Sequence, residues 1–237
     1  DGFEEDSARI DARSTGYVQV VEVEDLVALA REHDLVIRLA IRPGRFVVHH
    51  TPFAHAYPTD RVTDEVKARI AATVETGARR APVQDIEFPI RQMVEIAVRA
   101  LSPAVNDPFT ASTCVDQISA ALCLIAARDL PKPHLVDEDG TLRVVVGDPV
   151  TFGRLVGVAY HQVRQSASFH VPVYIHMLDS ITRVIGCVVD ENRLEPLVDE
   201  ARLIVDAAER HIDAEADMRD VSERYDALLD AASVRRM

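Results

Sequence analysis

The chain has 237 residues, 26 Lys and Arg against 39 Asp and Glu, a formal charge of −13, 48% hydrophobic residues and 5% aromatics. That length and apolar content suit one large or two modest cored domains and exclude wholesale disorder. The acidic balance, with no Lys/Arg stripe, excludes nucleic acid as a partner, and the longest wholly apolar run, residues 120–127, is far below the ~18 residues of a bilayer span, so the chain reads as soluble.

It begins at Asp1 with neither Met nor a signal pattern and reads as a piece of something longer. Residues 1–14 are charged and aperiodic, as a tether from a membrane region would be. Residues 16–23 are rich in β-branched residues and predict a strand. A short helix is expected over 25–33, with Leu26, Leu29 and Ala30 on one face, then a strand over 35–41. Arg42-Pro43-Gly44-Arg45 carries a type II turn signal and leads into a strand at Phe46-Val47-Val48. Residues 15–58 are thus expected to form a small β module.

From residue 59 the composition turns helical, and 59–237 is expected to be an α-helical domain. A first helix over about 60–76 would end at Gly77. Over 85–101, Glu87, Arg91, Glu95 and Arg99 repeat every fourth residue on an otherwise apolar segment, which predicts a central helix covered on most sides, its ion pairs forming a solvated seam. Next come a helix over 108–128 with Ile118, Leu122 and Ile125 on its core face, a hairpin near 135–146 turning at Asp139-Gly140, and four helices over 151–165, 173–189, 196–212 and 218–232. The fold class expected is α+β, mostly α: a small N-terminal β module followed by a helical body with one inserted β-hairpin.

The densest segment of hydrogen-bonding residues is Arg99 to Ala111. Structurally, Ser102-Pro103 stops one helix, Asp107 caps the next and Pro108 fills its first turn. Functionally, Ser102, Asn106, Asp107 and Thr110 gather polar groups beside a helix N-terminus, where an anion or an oriented polar ligand can sit. Capping is the simpler account. His49 and His50 alternate across a strand and would face opposite sides, whereas His176 and Asp179 share a helix face. No metal motif, GxGxxG, P-loop or GxSxG is present, so neither metal nor cofactor is expected. Cys114, Cys123 and Cys187 lie in apolar helical patterns and read as buried free thiols in a reducing compartment.

Two stretches, Asp85-Ile86-Glu87-Phe88-Pro89-Ile90-Arg91-Gln92-Met93 and Ala97 through Ala111, resemble the signature of the DUF2254 family of bacterial predicted membrane proteins. Gly16-Tyr17-Val18-Gln19, Arg42-Pro43-Gly44-Arg45-Phe46-Val47 and the Asp137-Glu138-Asp139-Gly140 hairpin fit as well, and Pro89 departs from the family's glycine. The resemblance implies that the full protein sits in the cell membrane through N-terminal transmembrane helices and that this chain is its soluble part. The candidate ligand-binding residues within its motif are Arg91, Arg99, Ser102, Asn106, Asp107 and Thr110. The β module also loosely resembles a barrel-sandwich half of the lipoyl or biotinyl type. Its modified lysine has no counterpart, because Lys67 and Lys132 both lie outside the module. The expectation is therefore a cytoplasmic, non-enzymatic domain that assembles or regulates a channel- or transporter-like membrane part. Its partners would be its own transmembrane region and further copies of itself. The alternative is a small-ligand sensor or enzyme with its site around residues 102–110, the ligand being unknown.

Overall fold

Between Ala8 and Ala12 apolar and charged residues alternate, and this alternation builds the first strand, β1 (Ala8–Asp11), with Ala8, Ile10 and Ala12 buried. The tether reading is corrected here for residues 8–11, while its first five residues lie outside the described region, which is residues 6–236 of a computed structural model. The chain is α+β and mostly helical, 55% helix and 15% strand, with N-terminal strands followed by a helical body. It divides into two units, one running up to Phe88 and including Pro131–Pro149, the other comprising Pro89–Leu130 and the chain from Val150 onward.

The first unit contains β2 (Gly16–Val21), α1 (Val23–Glu32), β3 (Val36–Leu39), β4 (Phe46–Val47), β5 (Pro52–Tyr57), α2 (Asp64–Ala72), β6 (Val74–Gly77), β7 (His134–Val136) and β8 (Leu142–Val146). One sheet has the order β1-β5-β3-β8-β7, parallel only where β3 meets β8, and a second has the order β4-β2-β6. Ile10, Val18, Leu26, Leu35, Ile37, Phe53, Ile70 and Val144 fill the core. In place of a boundary at residue 58, this unit takes in α2 and β6 as well as the hairpin expected inside the helical domain. The helix expected to reach residue 76 stops at Ala72, because the β-branched residues after it pair with β2, Val74 opposite Val21 and Gly77 opposite Tyr17. The hairpin turn forms at Gly140 (φ 79°), where the Asp137 carboxylate accepts the N–H groups of Asp139 (3.0 Å) and Thr141 (2.9 Å) and the Nε–H of Arg143 (2.7 Å).

Buried charge marks the end of this unit. Arg42 ion-pairs with Glu87 at 3.0 Å and with Asp148 at 3.2 Å, and Arg80 with Asp85 at 2.6 Å. The type II turn at Pro43-Gly44 forms as its sequence predicts, with Gly44 at φ 84° and Arg45 N–H donating to the Arg42 carbonyl. It docks on β2 through Val18, whose carbonyl accepts Gly44 N–H and whose N–H donates to the Arg45 carbonyl, both at 2.8 Å.

The second unit is built from helices α3 (Glu87–Ala100, whose first two residues belong to the first unit), α4 (Pro108–Ala126), α5 (Phe152–Ala167), α6 (Val171–Cys187), α7 (Leu194–Glu209) and α8 (Glu215–Arg235). Their apolar faces, among them Val94, Val115, Ile118, Leu122, Leu155, Tyr160, Tyr174, Met177, Ile181, Leu197, Ile204 and Leu228, enclose one core. The central helix is α6 rather than α3. Eight residues of α6 are buried from Val173 to Ile185, and it packs on α4, α5, α7 and α8, whereas α3 exposes Gln92, Glu95, Ile96 and Arg99. The charge stripe of α3 divides accordingly: Glu95 and Arg99 pair at 2.7 Å in solvent, while Glu87 is buried against Arg42. At the far end of α4 the guanidinium of Arg193 donates to the carbonyls of Ile125, Ala126 and Arg128 at 2.7–3.1 Å, closing the helix terminus that would otherwise leave acceptors unpaired.

Candidate functional site

Helix α3 stops because Ser102 turns the chain back on itself. Its hydroxyl donates to the Arg99 carbonyl (2.7 Å), and its own carbonyl accepts the N–H groups of Val105 (3.0 Å) and Asn106 (2.8 Å). Asn106 takes the left-handed conformation (φ 50°), one of the few side-chain-bearing residue types that tolerates it. Asp107 then caps α4: Oδ1 accepts Thr110 N–H (3.0 Å) and Oδ2 accepts the Thr110 hydroxyl (2.5 Å). Those bonds, the hydroxyl first, hold the Asp107 carboxyl below its ordinary range. Its stabilising effect is therefore full above the ordinary Asp value of about 3.9 and is lost as pH falls through the lower folded value. Asp107→Ala is expected to lower the melting temperature by about 2–4 °C near neutral pH. In thermal melts the difference from wild type should shrink as the solution is acidified below pH ~4.

Beside this segment an open groove of about 670 Å³ runs between the loop after α3 and the turn joining α5 to α6. Val98, Leu101, Ser102, Pro103 and Asn106 form one wall, and Ser166, Ser168, Phe169 and His170 the other. Each wall carries one left-handed residue, Asn106 and Ser168 (φ 40°). Phe169 is 76% exposed and meets the ring of His211 edge-on at 5.9 Å. Of the six residues singled out from sequence, Ser102 and Asn106 line the groove. Asp107 and Thr110 are engaged with each other in the cap, Arg99 points to Glu95, and Arg91 is half-buried on α3. The opposite wall was not foreseen, although an exposed Phe beside two serines and a histidine, just before a Pro-started helix, is a local signal for a turn with a surface role.

A second polar assembly crosses the α4–α6 contact. Asp116 Oδ1 meets His176 Nε2 at 2.9 Å and the Arg183 guanidinium at 2.7 Å. One turn along, Ser119 Oγ donates to the Ser180 carbonyl (3.3 Å), and the Ser180 hydroxyl bonds to Tyr160 OH (2.6 Å), whose phenol is pushed up by complete burial. His176 thus works with Asp116 across two helices and not with Asp179, which faces Arg224 of α8 at 3.7 Å. The three cysteines are free. Burial pushes the Cys114 thiol up, and burial with the neighbouring Cys187 pushes Cys123 up to about 11, so neither is a ready nucleophile. His161 and Arg164 flank the buried Glu200 at 2.8 and 3.1 Å; burial raises its pKa against their opposing pull. His49 and His50 do not lie on opposite faces of a strand. They sit in the turn after β4 with rings stacked at 3.7 Å. Among the described residues no group of three or more His, Cys, Asp or Glu is placed to hold a metal ion.

A family model described as "Predicted membrane protein (DUF2254)" matches residues 1–183, which include the loop after α3, α4 and both walls of the groove. Two mycobacterial proteins, the uncharacterized protein Rv1290c of Mycobacterium tuberculosis (strain H37Rv) and the uncharacterized protein Mb1321c of Mycobacterium bovis, are each 31% identical to this chain over 216 residues. The alignment covers 90% of this chain and 41% of each relative, so the chain spans about two fifths of their length. No solved structure matches.

Proposed function

The chain belongs to the DUF2254 family of predicted membrane proteins, and on that premise we propose that it is a soluble, cytoplasmic portion of an integral membrane protein, where it assembles or regulates a channel- or transporter-like membrane part as a homo-oligomer. The observation that carries this reading is the polarity of the outer helix faces. Helix α8 presents Arg219, Asp220, Glu223, Arg224, Asp226 and Asp230 to solvent, a face that hydrocarbon would strongly disfavour. Among the described residues one helix, α4, is long and apolar enough to cross a membrane, and its Ala111, Val115, Ile118 and Leu122 are buried in the core of the second unit. Helices that enclose an apolar core and turn charged faces such as that of α8 outward, in a chain of a membrane-protein family, support a part that works beside the bilayer.

The test is ion flux (K⁺, Na⁺ and Cl⁻) through the full-length protein in liposomes, with and without residues 15–237. A changed flux or oligomeric state on removal is expected, and identical flux with identical assembly overturns the reading. The groove favours a second reading, a small-ligand sensor or enzyme, because Asn106 and Ser168 hold unfavourable backbone conformations on its two walls. Crystals soaked with a fragment library test it: density between Asn106 and Phe169 supports it, and an empty groove throughout counts against it.

A further inference from the structure

The polar contacts between α4 and α6 climb the two helices together. Asp116 meets His176 and Arg183, and one turn on Ser119 meets the Ser180 carbonyl (3.3 Å) and the Nε of Arg183 (3.4 Å). A further turn, four residues on from Ser119 and Arg183, brings Cys123 level with Cys187 on helices that run in the same direction, and the two thiols are neighbours. Both are half-buried and free, whereas Cys114 is buried and lies about two and a half turns back along α4. Cys187 is the last residue of α6, and Gly186 before it has open space where a Cβ would stand, so the backbone there has room to shift. The Gly186 carbonyl also accepts the guanidinium of Arg235, in the last turn of α8.

We propose that Cys123 and Cys187 form a redox switch: a peroxide joins them in a disulfide, and the accompanying shift of residues 186–187 loosens the hold of α6 on the end of α8. The Cys187 sulfur, its proton given up to water, attacks one oxygen of hydrogen peroxide. The O–O bond breaks, and the hydroxide that leaves is protonated to water. The Cys123 sulfur then gives up its proton and attacks the Cys187 sulfenic acid, so that the S–S bond forms as the sulfenic OH departs as a second water. Two thiols and one peroxide thus yield a disulfide and two waters, with two electrons passing from sulfur to oxygen. Cys123 is the partner and not the first nucleophile, because its thiol is pushed up to about 11 and at pH 7 only about one in ten thousand is thiolate. Its place beside Cys187 offsets this, since the second step is intramolecular. The switch closes slowly, and in a reducing compartment cellular thiols reset it. The inference does not depend on whether the chain regulates flux.

Full-length protein in detergent micelles, treated with hydrogen peroxide, alkylated, digested and analysed by mass spectrometry, is expected to yield peptides joined through Cys123 and Cys187. Dithiothreitol should return them to free thiols. Cys123→Ser and Cys187→Ser should each abolish the joined peptides and Cys114→Ser should leave them in place, with circular dichroism confirming an intact fold. In hydrogen exchange of the wild type, the amides in the last turn of α8 should exchange about threefold faster after oxidation, and Cys187→Ser should remove that response. Peroxide that carries Cys187 only to the sulfinic or sulfonic acid, or that joins the two cysteines only between chains, overturns the proposal. A 123–187 disulfide that leaves exchange in α8 unchanged overturns it too, because such a bond switches nothing.

Discussion

Glu87→Ala is expected to destabilise the first unit by about 3–5 kcal/mol, because it removes one partner of a buried ion pair and leaves the other charge in place. The Arg42 and Glu87 side chains are 6% and 1% exposed and meet at 3.0 Å. Neither can recover water when the other is lost. Asp148 at 3.2 Å takes part of the Arg42 charge and is itself held by Arg45 at 3.0 Å, so Glu87→Ala leaves Arg42 one carboxylate, while Arg42→Ala takes the guanidinium from the buried Glu87 and leaves Asp148 its second arginine. Glu87 is also the first residue of α3, where a carboxylate favours the helix dipole, so the loss has a second component of a few tenths to about 1 kcal/mol. The double variant Arg42→Met/Glu87→Leu should lose far less than the sum of the single changes, since it removes both charges together. Urea unfolding of wild type and the three variants measures these losses. A Glu87→Ala loss below ~1 kcal/mol would mean that the pair is hydrated and carries little of the unit's stability.

Gly44→Ala is expected to cost about 3 kcal/mol or more, from two sources that add. Gly44 has φ 84°, where an L side chain loses about 1–2 kcal/mol. An added Cβ would stand 2.1 Å from Asp85 Oδ2 and 2.7 Å from an Arg80 nitrogen, so the Asp85–Arg80 pair must part or the turn must lift from Val18. A substitution at Gly140, also at positive φ but with open space around it, should show the conformational part alone. Comparing thermal melts of Gly44→Ala and Gly140→Ala separates the two sources. Equal losses would show that the steric contact relaxes at no cost.

Some of this architecture is written locally and could be read from the sequence, while other parts arise only when distant segments meet. The Pro43-Gly44 turn, the Asp107 cap, the Asp-Gly hairpin and the core face of α4 at Ile118 and Leu122 depend on residues within a few positions of each other, and each forms as its chemistry predicts. Strand β1 was missed because Arg9 and Asp11 alternate with its apolar residues and give a four-residue strand the charge density of a tether. The hairpin signal predicts the pairing of β7 with β8 but says nothing of β3, whose parallel pairing with β8 is decided by burial of Val144 against Ile37. The site divides in the same way. Ser102 and Asn106 were visible as a polar loop, but the facing wall at residues 166–170 is some 60 residues away, and no spacing rule joins them. Arg193 on the end of α4, like Arg42 on Glu87, pairs residues that lie inside recognisable segments, yet nothing in either segment names the other.

The parallel strand β8 also sets the order in which the chain can be completed. It arrives at residues 142–146, after α3 and α4 have been made, although the sheet it enters holds strands that begin at residue 8. During synthesis the early strands must therefore wait for about 65 residues beyond β6 before Ile37 and Leu39 gain the neighbour they pair with. At typical ribosomal rates of about 5–20 residues per second, that interval is several seconds, long enough for an exposed β3 edge to pair with another nascent chain. A chain truncated near residue 130 would carry that open edge permanently, and neither unit can be cut out as one uninterrupted stretch of sequence.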